Sequence, residues 1–219
     1  MMLNRAPGCF TAPATSLWNT SMIDSSQTLT ESRSDEDVVF IAPTFYVVSR
    51  KKLAILYLAT LGLYGIYWFY KNWSNYKNCS SDKFNVDRSI WPVARGIFSI
   101  FFTHALFREI KAYGRDKEAL AEWNNEMLAT QVVLFMIAAN VLDRLSARSI
   151  GSPYTDIGSV LIVVPLLGLL LSAQHMINIA CGDPDGKSNS RLTNANYVWI
   201  ALGLIFWVLV ILGFISPAA

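Results

Sequence analysis

The chain has 219 residues, of which 53% are apolar and 16% charged, with a formal net charge of +2. A water-soluble domain carries about 25% charged residues, so a deficit this large excludes an ordinary soluble surface and points to contact with lipid. The net charge is small and the basic residues sit beside apolar runs, which gives no footing for nucleic-acid binding.

Residues 1–37 are rich in Ser, Thr, Asp and Glu and close on Asp35-Glu36-Asp37. Such a segment buries too little apolar surface to offset its ordering entropy, and residues 1–49 are expected to be a disordered polar tail with an apolar juxtamembrane end. No stretch of 1–37 has the apolar core of a cleaved leader, so targeting is expected to fall to the first membrane helix. Residues 38–48 are apolar but interrupted by Pro43 and too short to span; they are expected to lie extended near the membrane surface.

A helical membrane domain is expected over 50–219. After Arg50-Lys51-Lys52, no charge occurs from Leu53 to Tyr70. As helix that run reaches about 27 Å, close to the ~30 Å of a hydrocarbon core. Its end is crowded with Tyr64, Tyr67, Trp68, Tyr70 and Trp73, the ring types that collect at a lipid–water boundary. A transmembrane helix is therefore expected over 53–70.

Residues 92–108 are ambiguous. The uncharged part, Gly96 to Phe107, reaches only about 18 Å as helix. Arg95, Ser99 and Thr103 recur at helical spacing and make one face polar. An interfacial or re-entrant helix starting at Trp91-Pro92 competes with a full span. Three further helices are expected over 124–143, 157–180 and 194–216. Pro165 is expected to kink the second of these. The fold class is thus an all-α membrane protein of four or five transmembrane helices, with 92–108 the segment in question.

Sidedness is conflicted. Arg50-Lys51-Lys52 favours a cytoplasmic amino terminus, yet four spans would export the basic residues from Lys71 to Lys117. A fifth crossing at 92–107 softens the conflict, and on charge bias alone it is preferred.

Chemical signatures are weak. Cys9, Cys79 and Cys181 make no paired motif. Gly182 to Ser188 is one residue short of a phosphate loop, and its two aspartates oppose phosphate. A simple turn is the better reading. His104 and His175 lie far apart with no further ligands at metal-site spacing. No catalytic, cofactor-binding or metal residue is assigned, and the chain is not expected to be an enzyme. The candidate intramembrane polar contacts are Arg95, Gln131, Asn140, Asp143 and His175. Ionisable groups in lipid require a partner, so Asp143 is expected to pair with Arg95 or Arg144. Small residues mark possible close helix contacts: Ala59, Gly62 and Gly65 early, Gly168 and Ser172 later. Leu61-Gly62-Leu63 is echoed by Leu202-Gly203-Leu204, but no repeat is built on so short a match.

The stretch Thr60, Leu61, Gly62, Tyr64, Tyr67, Trp68, Phe69, Tyr70 and Lys71 resembles the signature of a family of uncharacterised bacterial integral membrane proteins. The segments around 90–107 and 181–199 are similar to that family as well. The resemblance implies a multi-pass protein of the bacterial cytoplasmic membrane and carries no activity or functional residue. Two functions remain open. One is helix–helix contact with a membrane-protein partner or with itself, in an assembly, regulatory or toxin-immunity role. The other is a small transporter or channel in which Arg95, Asn140, Asp143 and His175 share a polar cavity.

Overall fold

The computed structural model describes residues 43–83 and 89–215, with the backbone alone over 80–83. The expectations for residues 1–42, including the disordered tail, Cys9 and the acidic cluster, lie outside the described residues. Among these residues all regular structure is helical. The helices are α1 (Arg50–Ala59), α2 (Tyr64–Lys83), α3 (Pro92–Ile97), α4 (Ser99–Tyr113), α5 (Glu118–Ala121), α6 (Asn125–Ser146), α7 (Tyr154–Leu161), α8 (Val163–Ala180) and α9 (Asn194–Ile215).

Three helical stretches are long and apolar enough to cross a membrane: Asn125–Ser146, Tyr154–Ala180 and Asn194–Ile215. Their apolar side chains are largely turned outward, as lipid-facing surfaces require, and only 6% of the α9 window is buried. Both features fit a membrane protein.

The run expected to span as one helix over 53–70 does not do so. Helix α1 ends at Ala59, and Leu61 (φ 50°) and Gly62 (φ 87°) adopt left-handed backbone before α2 begins. The Thr60 hydroxyl drives the break. It donates to the Leu56 carbonyl at 2.8 Å and accepts the Tyr64 N–H at 3.0 Å, ending one helix and capping the next. The Gly62 N–H closes back on Tyr57 O at 2.8 Å, in the manner of a helix C-terminal motif. The aromatic cluster is also not a boundary belt: Tyr64, Trp68 and Trp73 are buried in the core.

Residue contacts give the path of the chain. One end of the molecule, here called basal, gathers the start of α1, the end of α8 and the 181–193 loop. Lys52 Nζ donates to Asn189 Oδ1 and Arg191 O, both at 2.7 Å. Gly114 lies against Leu120 and Ala180, which brings the end of α4 and α5 to the same end. Helix α9 starts there, and halfway along it Gly203 meets Ala59 and Trp207 Nε1 donates to Leu58 O. The α1–α2 turn therefore lies at mid-height. Helix α2 then descends: Trp68 reaches Gln174, and Cys79 lies 3.1 Å from Thr44.

A second rise and return follows. Ile90 O accepts from Lys77 Nζ, and Gly96 packs on Ile66 and Tyr70, so α3 climbs alongside α2. The helix breaks at Phe98, and α4 descends with His104 beside Thr130 and Phe107 on Trp123. By Glu109 it is level again with Tyr76. Helices α6, α7–α8 and α9 traverse the full height. At the far end Ser146 and Asp156 join α6 to α7.

The core is centred on a strap, residues 43–48. Its described residues form no helix, and all but Pro43 are buried rather than lying at a surface. Phe45 and Val48 are fully buried. A non-helical peptide among helices has no strand partner, so its backbone polar groups need side chains. Amides supply them. Asn72 Oδ1 accepts the Tyr46 N–H, and Gln174 Nε2 donates to Tyr46 O. Asn178 accepts the Val48 N–H and donates to Val48 O. Asn189 donates to Val47 O. Trp68 Nε1 donates to Gln174 Oε1 at 2.6 Å, tying α2 into the same network.

Candidate functional site

Three helix interruptions converge above this braced base. The first is the α1–α2 turn. The Tyr57 ring packs under it, so close that a Cβ at Gly62 would stand 3.3 Å from Tyr57 Oη and one at Gly65 3.1 Å from Cε2. The second is Phe98 (φ −94°, ψ 36°) between α3 and α4. Gly96 brings this break against α2: its missing Cβ would meet Tyr70 Cβ at 3.0 Å and Ile66 O at 3.1 Å. The third is a kink at Ile162 between α7 and α8, where the backbone itself stays helical (φ −59°, ψ −21°). Pro165 has no N–H to offer the Leu161 carbonyl four residues earlier, which is the physical reason for the kink there.

The three interruptions line one cavity of about 660 Å³, together with part of α6 and Val210 of α9. Asp143 is the one charged residue among its lining residues, and Asn140, Ser99, Ser159 and Tyr57 are polar. Asn140 Nδ2 donates to Met136 O at 2.9 Å, which leaves the amide oxygen available to the cavity. Non-helical backbone at membrane depth is tolerated where it is buried in protein or lines a polar cavity.

The structure thus brings together two of the five expected polar contacts, Asn140 and Asp143, and separates the other three. Arg95 lies 4.2 Å above the Trp73 ring and 5.1 Å from that of Phe102, a cation–π arrangement outside the cavity. Gln131 is half-buried lower on α6, and His175 lies on α8 with its Nδ1 buried and unpartnered; neither lines the cavity. The expected ion pair of Asp143 with Arg95 or Arg144 does not form. The reason is geometric: Arg95 is held on the aromatic face of α2, on the other side of the Phe98 break.

The 181–191 loop is a self-contained turn. The Asp183 carboxylate accepts the Lys187 and Ser188 N–H groups at 3.0 and 2.9 Å, so the loop's donors are already taken by its own side chain. These N–H groups hold the Asp183 carboxyl below the usual carboxylate range. Burial pushes the Cys181 thiol up to about 11.

Sequence reasoning missed Tyr57 and Ser159, whose place at the cavity follows from breaks that no local pattern announces. It also missed the bracing amides Asn72, Gln174, Asn178 and Asn189. A usable signal existed for Gln174 and Asn178: two amides at helical spacing within an otherwise apolar run. No protein-family profile matches the chain, and neither a curated protein nor a solved structure is similar to it.

Proposed function

We propose that the chain is a three-span membrane protein whose two re-entrant hairpins, α1–α2 and α3–α4, enclose a binding cavity for a small solute, as in a transporter or channel. One observation carries the reading: two helix breaks, a proline kink and the lone carboxylate of Asp143 line the same cavity. A carboxylate on an otherwise uncharged cavity lining, with no ion pair to a basic side chain among the described residues, leaves a place for a ligand of opposite charge or for water.

On this reading the charge bias and the helix lengths agree. With both hairpins entering and leaving at the basal end, that end carries Arg50, Lys51, Lys52, Lys111, Arg115, Lys117, Lys187 and Arg191. Among the described residues, the far-end loop holds Arg144 and Arg148. The basic residues set orientation, so the basal end is cytoplasmic and the carboxyl terminus external. Reporter fusions after residues 85, 118 and 187 should all read cytoplasmic, and those after 150 and 219 external. An external reading at 85 or 118 would refute the hairpins. The expected bacterial cytoplasmic membrane belongs to this proposal and rests on the family resemblance.

The cavity is tested by single cysteines placed at 95, 140, 143 and 175 in a chain with Cys9, Cys79 and Cys181 replaced. A small impermeant thiol reagent should label positions 140 and 143 and spare 95 and 175. Failure to label both 140 and 143 from either side would eliminate a water-connected cavity.

A second reading, contact with a protein partner or another copy, is favoured by Gly168 on α8. A Cβ there would meet nothing within 4 Å, and Ser172 one turn on is also exposed. This small pair faces outward and can take a close helix approach. Assembly, regulatory and immunity roles fall under this reading, and recovery of the chain free of partner and of self-association in mild detergent counts against it.

A further inference from the structure

A second, shallower and more open hollow, of about 420 Å³, adjoins the first. It is lined by Leu63, Ile66, Tyr67, Tyr70, Val93, Ile97 and Trp199. Leu63, Ile66 and Ile97 line both cavities, so the two share a wall. These side chains are 36%, 45% and 59% exposed. They stand between the two spaces rather than filling one.

The two cavities differ sharply in chemistry. One is lined by a carboxylate that forms no ion pair among the described residues. The other has only apolar and aromatic walls. The Tyr67 and Trp199 rings meet at 5.9 Å, tilted 52° to one another, beside the apolar space. Resting on the cavity reading above, the geometry points to a ligand that is a monovalent organic cation with an apolar arm. Its charge lies at Asp143 and Asn140 and its apolar groups lie past Ile66 and Ile97, between Tyr67, Tyr70 and Trp199.

Each part of that ligand answers an observation. A cation supplies the counter-charge that Asp143 lacks among the described residues. An inorganic cation would satisfy the carboxylate but leave the adjoining space without a role. A neutral lipid chain would fill that space but leave the carboxylate unpaired. The ring faces of Tyr67, Tyr70 and Trp199 favour aromatic groups or the edge of a delocalised cation.

The test uses the purified full-length chain in lipid nanodiscs. Three probes are compared by equilibrium dialysis: tetraphenylphosphonium, its neutral relative triphenylphosphine oxide, and tetramethylammonium, a cation without an apolar arm. Tetraphenylphosphonium should bind at least about ten-fold more tightly than either of the others, or about 1.4 kcal/mol. Asp143→Asn should weaken it by a similar factor, whereas Asp143→Glu should retain most of the binding. Ile97→Trp, which fills the apolar space, should weaken tetraphenylphosphonium but not tetramethylammonium.

Equal binding of the phosphonium and the neutral oxide to the unmodified protein overturns the cationic part, whether or not any variant folds. Equal, Asp143-dependent binding of the two cations overturns the apolar arm and leaves the cavity intact. If none of the probes binds, the inference fails; labelling at 140 and 143 then decides separately whether the cavity itself survives.

Discussion

The tripeptide Leu-Gly-Leu occurs three times in this protein, and two of the copies, in opposite conformations, lie nearly in contact. Leu61-Gly62-Leu63 breaks a helix, with two residues in left-handed backbone. Leu202-Gly203-Leu204 continues one, deep within α9. Hydropathy does not distinguish them. The flanks do. At the first, Thr60 ends one helix and caps the next, while Tyr57 fills the space below the turn. At the second no hydroxyl competes for the backbone, and the glycine instead allows a close approach: its missing Cβ would lie 2.0 Å from Ala59 O. One glycine is used for its backbone freedom and the other for its lack of a side chain.

The largest effect should come from removing what pins the first copy from below. Asn178→Leu leaves the Val48 N–H and C=O buried and unpaired, at about 1–3 kcal/mol each. The thermal midpoint in mild detergent should fall further than for any change at the glycines themselves. An unchanged midpoint would mean that the strap is not held by amides.

Gly203→Val comes next. The added atoms collide with backbone rather than with a flexible side chain, so overpacking costs about 3 kcal/mol, and α9 should become accessible to protease near its centre. If this variant melts like the parent, α9 does not pack on α1 at Gly203. At the other copy, Gly62→Ala forces a Cβ into left-handed backbone, at about 1–2 kcal/mol. The ordering of these two variants by detergent melting tests whether the two glycines serve different purposes. Thr60→Val removes the hydroxyl that caps α2 and should cost about 1 kcal/mol. Its more telling signature would be altered labelling at position 143, because the turn forms part of the cavity wall.

The smallest effect concerns Cys181 at the basal end. Its thiol is raised to about 11 by burial, above the ~8.5 of a free thiol. The raised group favours the folded state below about pH 8.5 and loses that contribution as pH climbs through 11. Maleimide labelling of Cys181 should therefore be slow at pH 8 in the folded protein and rapid once it is unfolded. Equal rates in both states would show that the thiol is not buried.

The long apolar helices were legible as uncharged runs, because a strip without charge over some twenty residues has few other destinations. The polar pair at the cavity was legible too, since Asn140 and Asp143 share a face of one helix. What could not be read was the first run. Its eighteen uncharged residues satisfied the length criterion while hiding a hydroxyl placed to stop the helix. Counting charges is blind to Thr60. It is blind as well to Gln174 and Asn178, which matter because of a backbone they meet across the core. The five-crossing preference rested on the same count of charges, whereas three helices among the described residues are long and apolar enough to span.

The buried strap sets a timetable for synthesis. Val48 leaves the ribosome early, while the Asn178 side chain that receives it lies 130 residues further along the chain. Until α8 has entered the bilayer, the strap's peptide groups have no lasting protein partner, and the basal half cannot close. Nascent chains stopped before that asparagine should stay open to quality-control proteases however well their earlier helices have inserted, because contacts this distant form late. The protein is fastened at its beginning by a residue that arrives near its end.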